Sequence, residues 1–217
     1  VGPVTYRVES YRPRIEGLFA RIERWTDVAS GMTHWRSISR DNITSLYGQT
    51  ADSRIADPTE GRRVFAWSLC ESYDDRGNVI RYEYARENRR GVDDAQAHER
   101  NRRGQPPAAH YLKRILYGNR VSRLVALDQA AREWCFEVVF DYDEGHYAEL
   151  PDDGGRPAVR AGPAATRDWS VRLDPFSSYR AGFEVRTYRL CRRILMFHHF
   201  PDELGAEDYL VRSTEFT

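Results

Sequence analysis

The chain has 217 residues, with 33 Lys+Arg against 33 Asp+Glu, which fits one globular domain and removes the net positive charge that nucleic-acid binding relies on. Hydrophobic residues make up 41% and aromatics 12%, enough apolar surface for a packed core, so disorder along most of the chain is excluded. No apolar run exceeds four residues, far short of the roughly 20 that carry a helix across a bilayer.

The chain opens Val1-Gly2-Pro3-Val4, with neither an initiator Met nor a basic-then-apolar leader, so the true N-terminus is expected upstream. The stretch Ile15 to Trp25 fits helical spacing after Pro13, but its β-rich surroundings favour a strand. Short strands are predicted over Met32 to Ile38 and Ile43 to Tyr47. The segment Val64 to Tyr84 reads as a hairpin: Phe65, Trp67 and Leu69 alternate inwards, Asp74 to Asn78 turn, and Ile80, Tyr82 and Tyr84 alternate outwards. Gly77 and Asn78 are the turn residues that tolerate positive φ.

Arg86 to Pro107, with six arginines and a Gly-Gln-Pro-Pro end, reads as a polar surface loop, as does the Gly/Pro/Ala/Asp-rich stretch Pro151 to Arg167. Between them lie strands over Tyr111 to Tyr117 and Trp134 to Tyr142. The second sets Trp134, Phe136, Val138, Phe140 and Tyr142 against Cys135, Glu137, Val139, Asp141 and Asp143, which predicts one buried, aromatic face with Trp134 and Phe136 in the core. Further strands are predicted over Trp169 to Leu173, Phe183 to Phe200 and Tyr209 to Phe216. Within the second of these the apolar parity changes, which calls for a bulge or bend.

Chemistry-bearing patterns are sparse. His198-His199 would point to opposite sheet faces, a poor arrangement for one metal. Asp141-Tyr142-Asp143-Glu144-Gly145 departs from calcium-loop spacing and reads as an acidic turn. The cluster Arg86, Arg89, Arg90, Arg100, Arg102 and Arg103 is interleaved with Glu87, Asp93, Asp94 and Glu99, which favours a solvated polar loop over a phosphate site. Cys70, Cys135 and Cys191 are widely spaced and odd in number, so a disulfide framework or cysteine zinc site is not expected. Nucleophile-elbow, phosphate-loop, dinucleotide and zinc-protease signatures are absent from the sequence. Arg212-Ser213-Thr214-Glu215 faintly resembles a strand motif of mono-ADP-ribosyltransferases, without their paired E-x-E. Lysine occurs once, at Lys113; the arginines that carry every other positive side chain suit stacking on aromatics and pairing with carboxylates, unless codon bias alone accounts for them. The expectation is no catalytic, cofactor-binding or metal-binding residue.

Tyr73-Asp74-Asp75-Arg76-Gly77-Asn78-Val79-Ile80-Arg81-Tyr82-Glu83-Tyr84 resembles the D-x-x-G-N-x-x-x-Y-x-Y pattern of tyrosine-rich RHS/YD repeats. Tyr11 to Gly17 with Arg21 to Trp25, His34 to Asn42, Tyr47 to Ile55, Tyr111 to Ile115 with Tyr117 to Asn119, and Arg172 to Thr187 running into Met196 to Phe200 carry a wider resemblance. In that order and spacing they resemble the SpvB-type domain of the B component of bacterial insecticidal toxin complexes (Tc toxins), shared with the Salmonella virulence protein SpvB. The resemblance implies an all-β fold of twisted antiparallel hairpins, RHS/YD-shell-like, with two long polar loops at about 86–107 and 151–167. It also implies that residues 1–217 are one SpvB-type domain from a longer B component. The implied role is non-enzymatic: part of a β-shell that, with the C component, encloses a toxic effector for delivery by the A component, made in the bacterial cytoplasm and released towards host cells. The implied partners are the C component, the A component and the rest of the B component, with no nucleic acid, membrane span or cofactor. Two alternatives stand beside it, a host-surface binding module and part of an ADP-ribosyltransferase toxin whose catalytic domain lies elsewhere.

Overall fold

Short amphipathic strands cannot satisfy their backbone groups alone, and this chain does so by pairing most strands with the next one in sequence. The computed structural model describes residues 4–17, 19–125, 133–150 and 158–216. Its strands are β1 (Tyr6–Tyr11), β2 (Arg21–Asp27), β3 (Thr33–Ile38), β4 (Thr44–Tyr47), β5 (Arg54–Ala56), β6 (Val64–Trp67), β7 (Leu69–Tyr73) and β8 (Val79–Arg86). There follow β9 (His110–Asn119), β10 (Trp134–Asp141), β11 (Tyr147–Leu150), β12 (Ala158–Ala161), β13 (Phe176–Ser178), β14 (Val185–Thr187), β15 (Arg193–His198), one helical turn α1 (Pro201–Leu204) and β16 (Tyr209–Glu215). Ten strands form one antiparallel sheet in the order β1-β2-β3-β4-β7-β8-β9-β10-β15-β16, and β5-β6, β11-β12 and β13-β14 are two-stranded excursions from it. Among the described residues no helix is long and apolar enough to cross a membrane.

Directly opposed residues in a ladder share a face. The register therefore lines up Glu23, Arg36, Leu46, Glu71, Arg81, Leu116, Glu137 and Phe197 in one row from β2 to β15. Six of these are buried, Arg36 and Arg81 being half-buried. The adjacent row on the other face runs Ser37, Ser45, Ser72, Ile80, Tyr117, Phe136 and His198, none of them buried. Over the first face the β11-β12 excursion brings Tyr147 and Ala161 onto Val139, Leu195 and Phe197, all three at 0% exposure. A second cluster, Ala109, Tyr111, Tyr142 and Trp169, lies where the 86–107 segment and β14 meet the sheet.

The all-β, hairpin-built architecture agrees with the sequence, but several local expectations are corrected. In β10 the deeper parity is Glu137, Val139 and Asp141, whereas Trp134 and Phe136 are half-buried, because the excursions cover the opposite face. The arm from Val64 breaks at Ser68: β6 pairs with β5, and the hairpin proper is β7-β8, with Glu71 opposite Arg81. Trp169 to Leu173 forms no strand; its amides reach back to Tyr142 and Tyr188 carbonyls, and Leu173 is 100% exposed beside the Asp174-Pro175 turn. Phe183 to Phe200 is two strands, β14 and β15, in different sheets, so the parity change marks a break at 188–192. Of Ile15 to Trp25 only the last five residues are strand, in β2, and Leu18 lies outside the described residues. Part of the second polar loop is strand β12; residues 151–157, like Val1 to Pro3, lie outside the described residues.

The β7-β8 turn is held by Asp74, whose carboxylate accepts from the Arg76 and Asn78 amides at 3.0 and 2.9 Å and from the Asn78 side chain at 2.7 Å. Those hydrogen bonds hold the Asp74 carboxyl below its usual range. Gly77 has φ of +85°; Asn78 does not share the positive φ expected of it and contributes its amide instead. A Cβ at Gly77 would stand 2.1 Å from Ser122 Oγ and 3.1 Å from the Arg123 nitrogen. Gly77→Val is therefore expected to cost at least about 2 kcal/mol, combining a left-handed conformation with a clash. Thermal unfolding should show this as a drop in Tm of about 4–8 °C; an unchanged Tm would mean the turn is not held as described.

Candidate functional site

Buried carboxylates need a partner wherever a sheet face is covered, and here arginine supplies nearly all of them. Glu23 is held by Arg21, Arg36 and the Trp25 indole, Glu71 by Arg123 at 3.0 Å, and Glu137 by Arg114 at 3.2 Å. Guanidinium groups also stack on rings, Arg123 over Tyr73 at 3.8 Å and Arg193 over Tyr147 at 4.3 Å. These are the arginine-aromatic and arginine-carboxylate contacts that the sequence led us to expect.

The acidic turn after β10 is a turn, but it is buried. Asp143 and Gly145 adopt φ of +68° and +78°, and the Glu144 amide donates to Asp141 Oδ1 at 2.8 Å. Asp141, Glu144 and His146 bring one ligand atom each within 4.8 Å of one another. The Lys113 ammonium meets them there: it donates to Glu144 Oε2, to His146 Nε2 at 3.1 Å and to the Phe140 carbonyl at 2.9 Å. Its three donors thus have three acceptors. His146 faces the Gly162 carbonyl through Nδ1 at 3.1 Å, so its Nε2 is free to accept, and burial together with the Lys113 charge pushes its pKa down. Lys113 can take this position because the β8-β9 register steps from Glu83-Arg114 to Tyr84-Leu112 and leaves it without an opposite residue. A divalent cation would have to displace this ammonium.

His198 and His199 do separate to opposite sides. His198 meets Phe136 edge-on at 4.9 Å, while His199 reaches Glu137 at 3.3 Å and Asp208 at 3.0 Å. Arg212 to Glu215 lie on β16 at the sheet edge, with Glu215 paired to Arg193 at 2.8 Å.

The 86–107 segment is the polar surface loop that the sequence suggests, mostly exposed and without a strand past Arg86, but two buried glutamates that the sequence did not single out anchor it as a lobe. Glu87 receives Arg189 through Nε at 2.8 Å and Nη2 at 2.5 Å, together with the amides of Asn88 and Arg89. Arg189 also donates to the Trp169 and Arg90 carbonyls and stacks on the Trp169 ring at 4.6 Å. Glu99 receives Arg186 at 2.9 and 2.6 Å and the Tyr188 hydroxyl at 2.5 Å. Burial and the Glu99 hydrogen bond push the Tyr188 phenol up to about 12. Arg102 clasps Glu184 at 2.7 to 2.9 Å, and Ser177 and Tyr179 donate to the same carboxylate. Burial opposes ionisation of Glu184, but these hydrogen bonds and the Arg102 charge outweigh it and hold its carboxyl down to about 2. The free Arg89 and Arg102 that a phosphate site would require are thereby paired.

The folded-state pKa of Glu184 lies below its ordinary 4.5. Its stabilising contribution is therefore complete above about pH 4.5 and is lost as pH falls towards about 2. Acid unfolding of Glu184→Gln should be shallower than that of the native chain within this window. Identical acid profiles would mean that the Arg102 clasp does not form in solution.

Arg186 and Arg189 were missed because they sit inside one apparent strand, and their carboxylate partners are 87 and 102 residues away. The only sequence signal was the regular interleaving of Glu87 and Glu99 among arginines.

Known proteins agree with this fold. The SpvB family, described as Salmonella virulence plasmid 65kDa B protein, matches residues 2–200. A mono(ADP-ribosyl)transferase SpvB of Salmonella typhimurium is 38% identical over 213 residues, covering 96% of this chain but 34% of that protein, so the chain spans about a third of the length of this relative. The structure of the N-terminal domain of effector protein SpvB from Salmonella typhimurium strain LT2 superposes with a TM-score of 0.80 at 35% identity, over 99% of this chain and 71% of that one. A crystal structure of TcdB2-TccC3 gives a TM-score of 0.78 at 33% identity, over 97% of this chain and 10% of the matched one.

Proposed function

Because the chain belongs to the SpvB family, we propose that it is a non-enzymatic wall module of a toxin-complex B component, helping to enclose a toxic effector and deliver it out of the bacterium towards host cells. The observation that carries this reading is the ten-stranded antiparallel sheet, a continuous wall element resembling about one tenth of a much longer chain in the TcdB2-TccC3 structure. Its outer strands β1 and β16 leave one edge each for a further strand, and carry exposed Tyr6, Val8, Tyr11, Tyr209 and Val211. The remainder of the B component and the C component are the partners that would meet those edges, and the A component would act on the assembled whole. The buried ion pairs fit a rigid wall better than a catalytic cleft, since the paired groups are already fully engaged with one another.

The test is assembly. The chain is purified alone, with the rest of the B component, and with its C partner, and each sample is followed by size-exclusion chromatography with light scattering and far-UV circular dichroism. A β-rich species that enters a large complex only with those partners supports the proposal. A monomer that ignores them, or specific catalysis abolished by a point substitution, overturns it. NAD-dependent labelling of a target protein by these residues alone would favour the transferase alternative, for which nothing in the described sites supplies a paired glutamate motif.

A further inference from the structure

Three excursions far apart in sequence, the 57–59 turn, the 89–108 lobe and the 179–188 stretch around β14, converge on a cavity of about 520 Å³. That size suits a small ligand. We propose that this cavity binds a neutral saccharide.

Its floor is fixed. Arg186 and Tyr188 are both buried and both tied to Glu99, and Arg89 donates to the Tyr188 hydroxyl at 2.8 Å. Fixed donors and acceptors hold a site in shape before its ligand arrives. The charges are consumed within the protein. Arg102 is paired with Glu184, Arg186 with Glu99, Arg89 with Asp94 and Glu99, and Asp57 with Arg63 at 2.9 Å. A phosphate or carboxylate ligand would have to compete with carboxylates already in place, and a cation with arginines.

What remains unengaged is neutral. The exposed side chains of Asn101 and Gln105 line the cavity and make no hydrogen bond to other described residues. Each amide offers both donors and an acceptor, which matches the mixed donor and acceptor character of vicinal hydroxyls. Apolar surface comes from Phe183, Tyr179 and Pro58, Pro106 and Pro107. Tyr179 is 64% exposed, yet its hydroxyl is pinned to Glu184 at 2.9 Å. An aromatic ring held in place while its surface stays open to solvent is a platform for the C–H face of a pyranose, and costs little ordering on binding. Amides that bond hydroxyls beside a ring that covers C–H groups define an uncharged sugar better than an ion, a peptide or a purely apolar ligand.

The inference is independent of the wall role and is tested on the full-length polypeptide that carries these residues. An immobilised array of neutral and sialylated oligosaccharides is probed first, and the strongest neutral binder is then titrated by calorimetry. Tyr179→Ala and the double variant Asn101→Ala/Gln105→Ala are each expected to weaken it at least tenfold, Tyr179→Phe to retain most of the affinity, and Arg212→Ala on β16 to change nothing. All these positions are exposed, and unchanged melting temperatures would confirm that the variants fold. No binding to neutral oligosaccharides, binding to sialylated ones alone, or an affinity indifferent to Tyr179→Ala would overturn the proposal.

Discussion

Arg189→Met is expected to destabilise the chain by about 3–5 kcal/mol, the usual cost of leaving a buried charge without its partner. Arg189 and Glu87 are both at 0% side-chain exposure, and without the guanidinium the buried Glu87 carboxylate keeps only the Asn88 and Arg89 amides as donors. The loss is compounded because Arg189 also satisfies the Trp169 and Arg90 carbonyls and stacks on Trp169. Urea unfolding followed by tryptophan fluorescence reads the effect as a lower midpoint. The double variant Glu87→Gln/Arg189→Met should recover part of it, since a buried pair of neutral groups escapes the desolvation cost that a lone carboxylate bears. Limited proteolysis gives a spatial check: in Arg189→Met, cleavage at arginines between 89 and 103 should accelerate more than cleavage elsewhere. A single variant with less than about 1 kcal/mol of destabilisation would mean that the lobe is not anchored through this pair.

The second large effect separates the two faces of β10 and β15. Phe197→Ala is expected to cost about 3–5 kcal/mol, because the ring is fully enclosed by Val139, Leu195 and the β11-β12 excursion and leaves a cavity when removed. Trp134→Ala, on the more open face, should cost less, about 1–2 kcal/mol despite the larger side chain, since part of its surface stays exposed in the fold. Paired urea titrations of the two variants decide the matter. If Trp134→Ala proved the more damaging, the assignment of the covered face would be reversed.

That contrast also shows what could be read from residues alone. Alternation found β10, the tight turn found the β7-β8 hairpin, and the polar breaks found most strand ends, since these depend on neighbours a few residues apart. Alternation cannot say which face an excursion will cover. The Trp134 parity looked like the core because it is aromatic, whereas Glu137 and Asp141 looked like solvent because they are charged. In the fold Glu137 is met by Arg114 and His199, and Asp141 by the Glu144 amide, so the charged parity could be buried. The same blindness hid the lobe. A carboxylate among arginines is read as a solvated stretch until an arginine about 100 residues away arrives to pair with it. The cavity was not legible either, because its walls come from three segments that only the fold brings together.

Lys113 is the one ε-amine of the sequence, and its nitrogen is occupied by Glu144, His146 and the Phe140 carbonyl. An acylating reagent must wait for that nitrogen to leave its three acceptors before it can react at this side chain. Under reagent excess, the rate of Lys113 modification therefore counts openings of the β9 bulge, giving a single-residue clock for local unfolding without any engineered label. The same arithmetic applies to any enzyme that tags proteins through lysine: within these 217 residues it finds a single side-chain acceptor, and that one is withheld as long as the fold is closed.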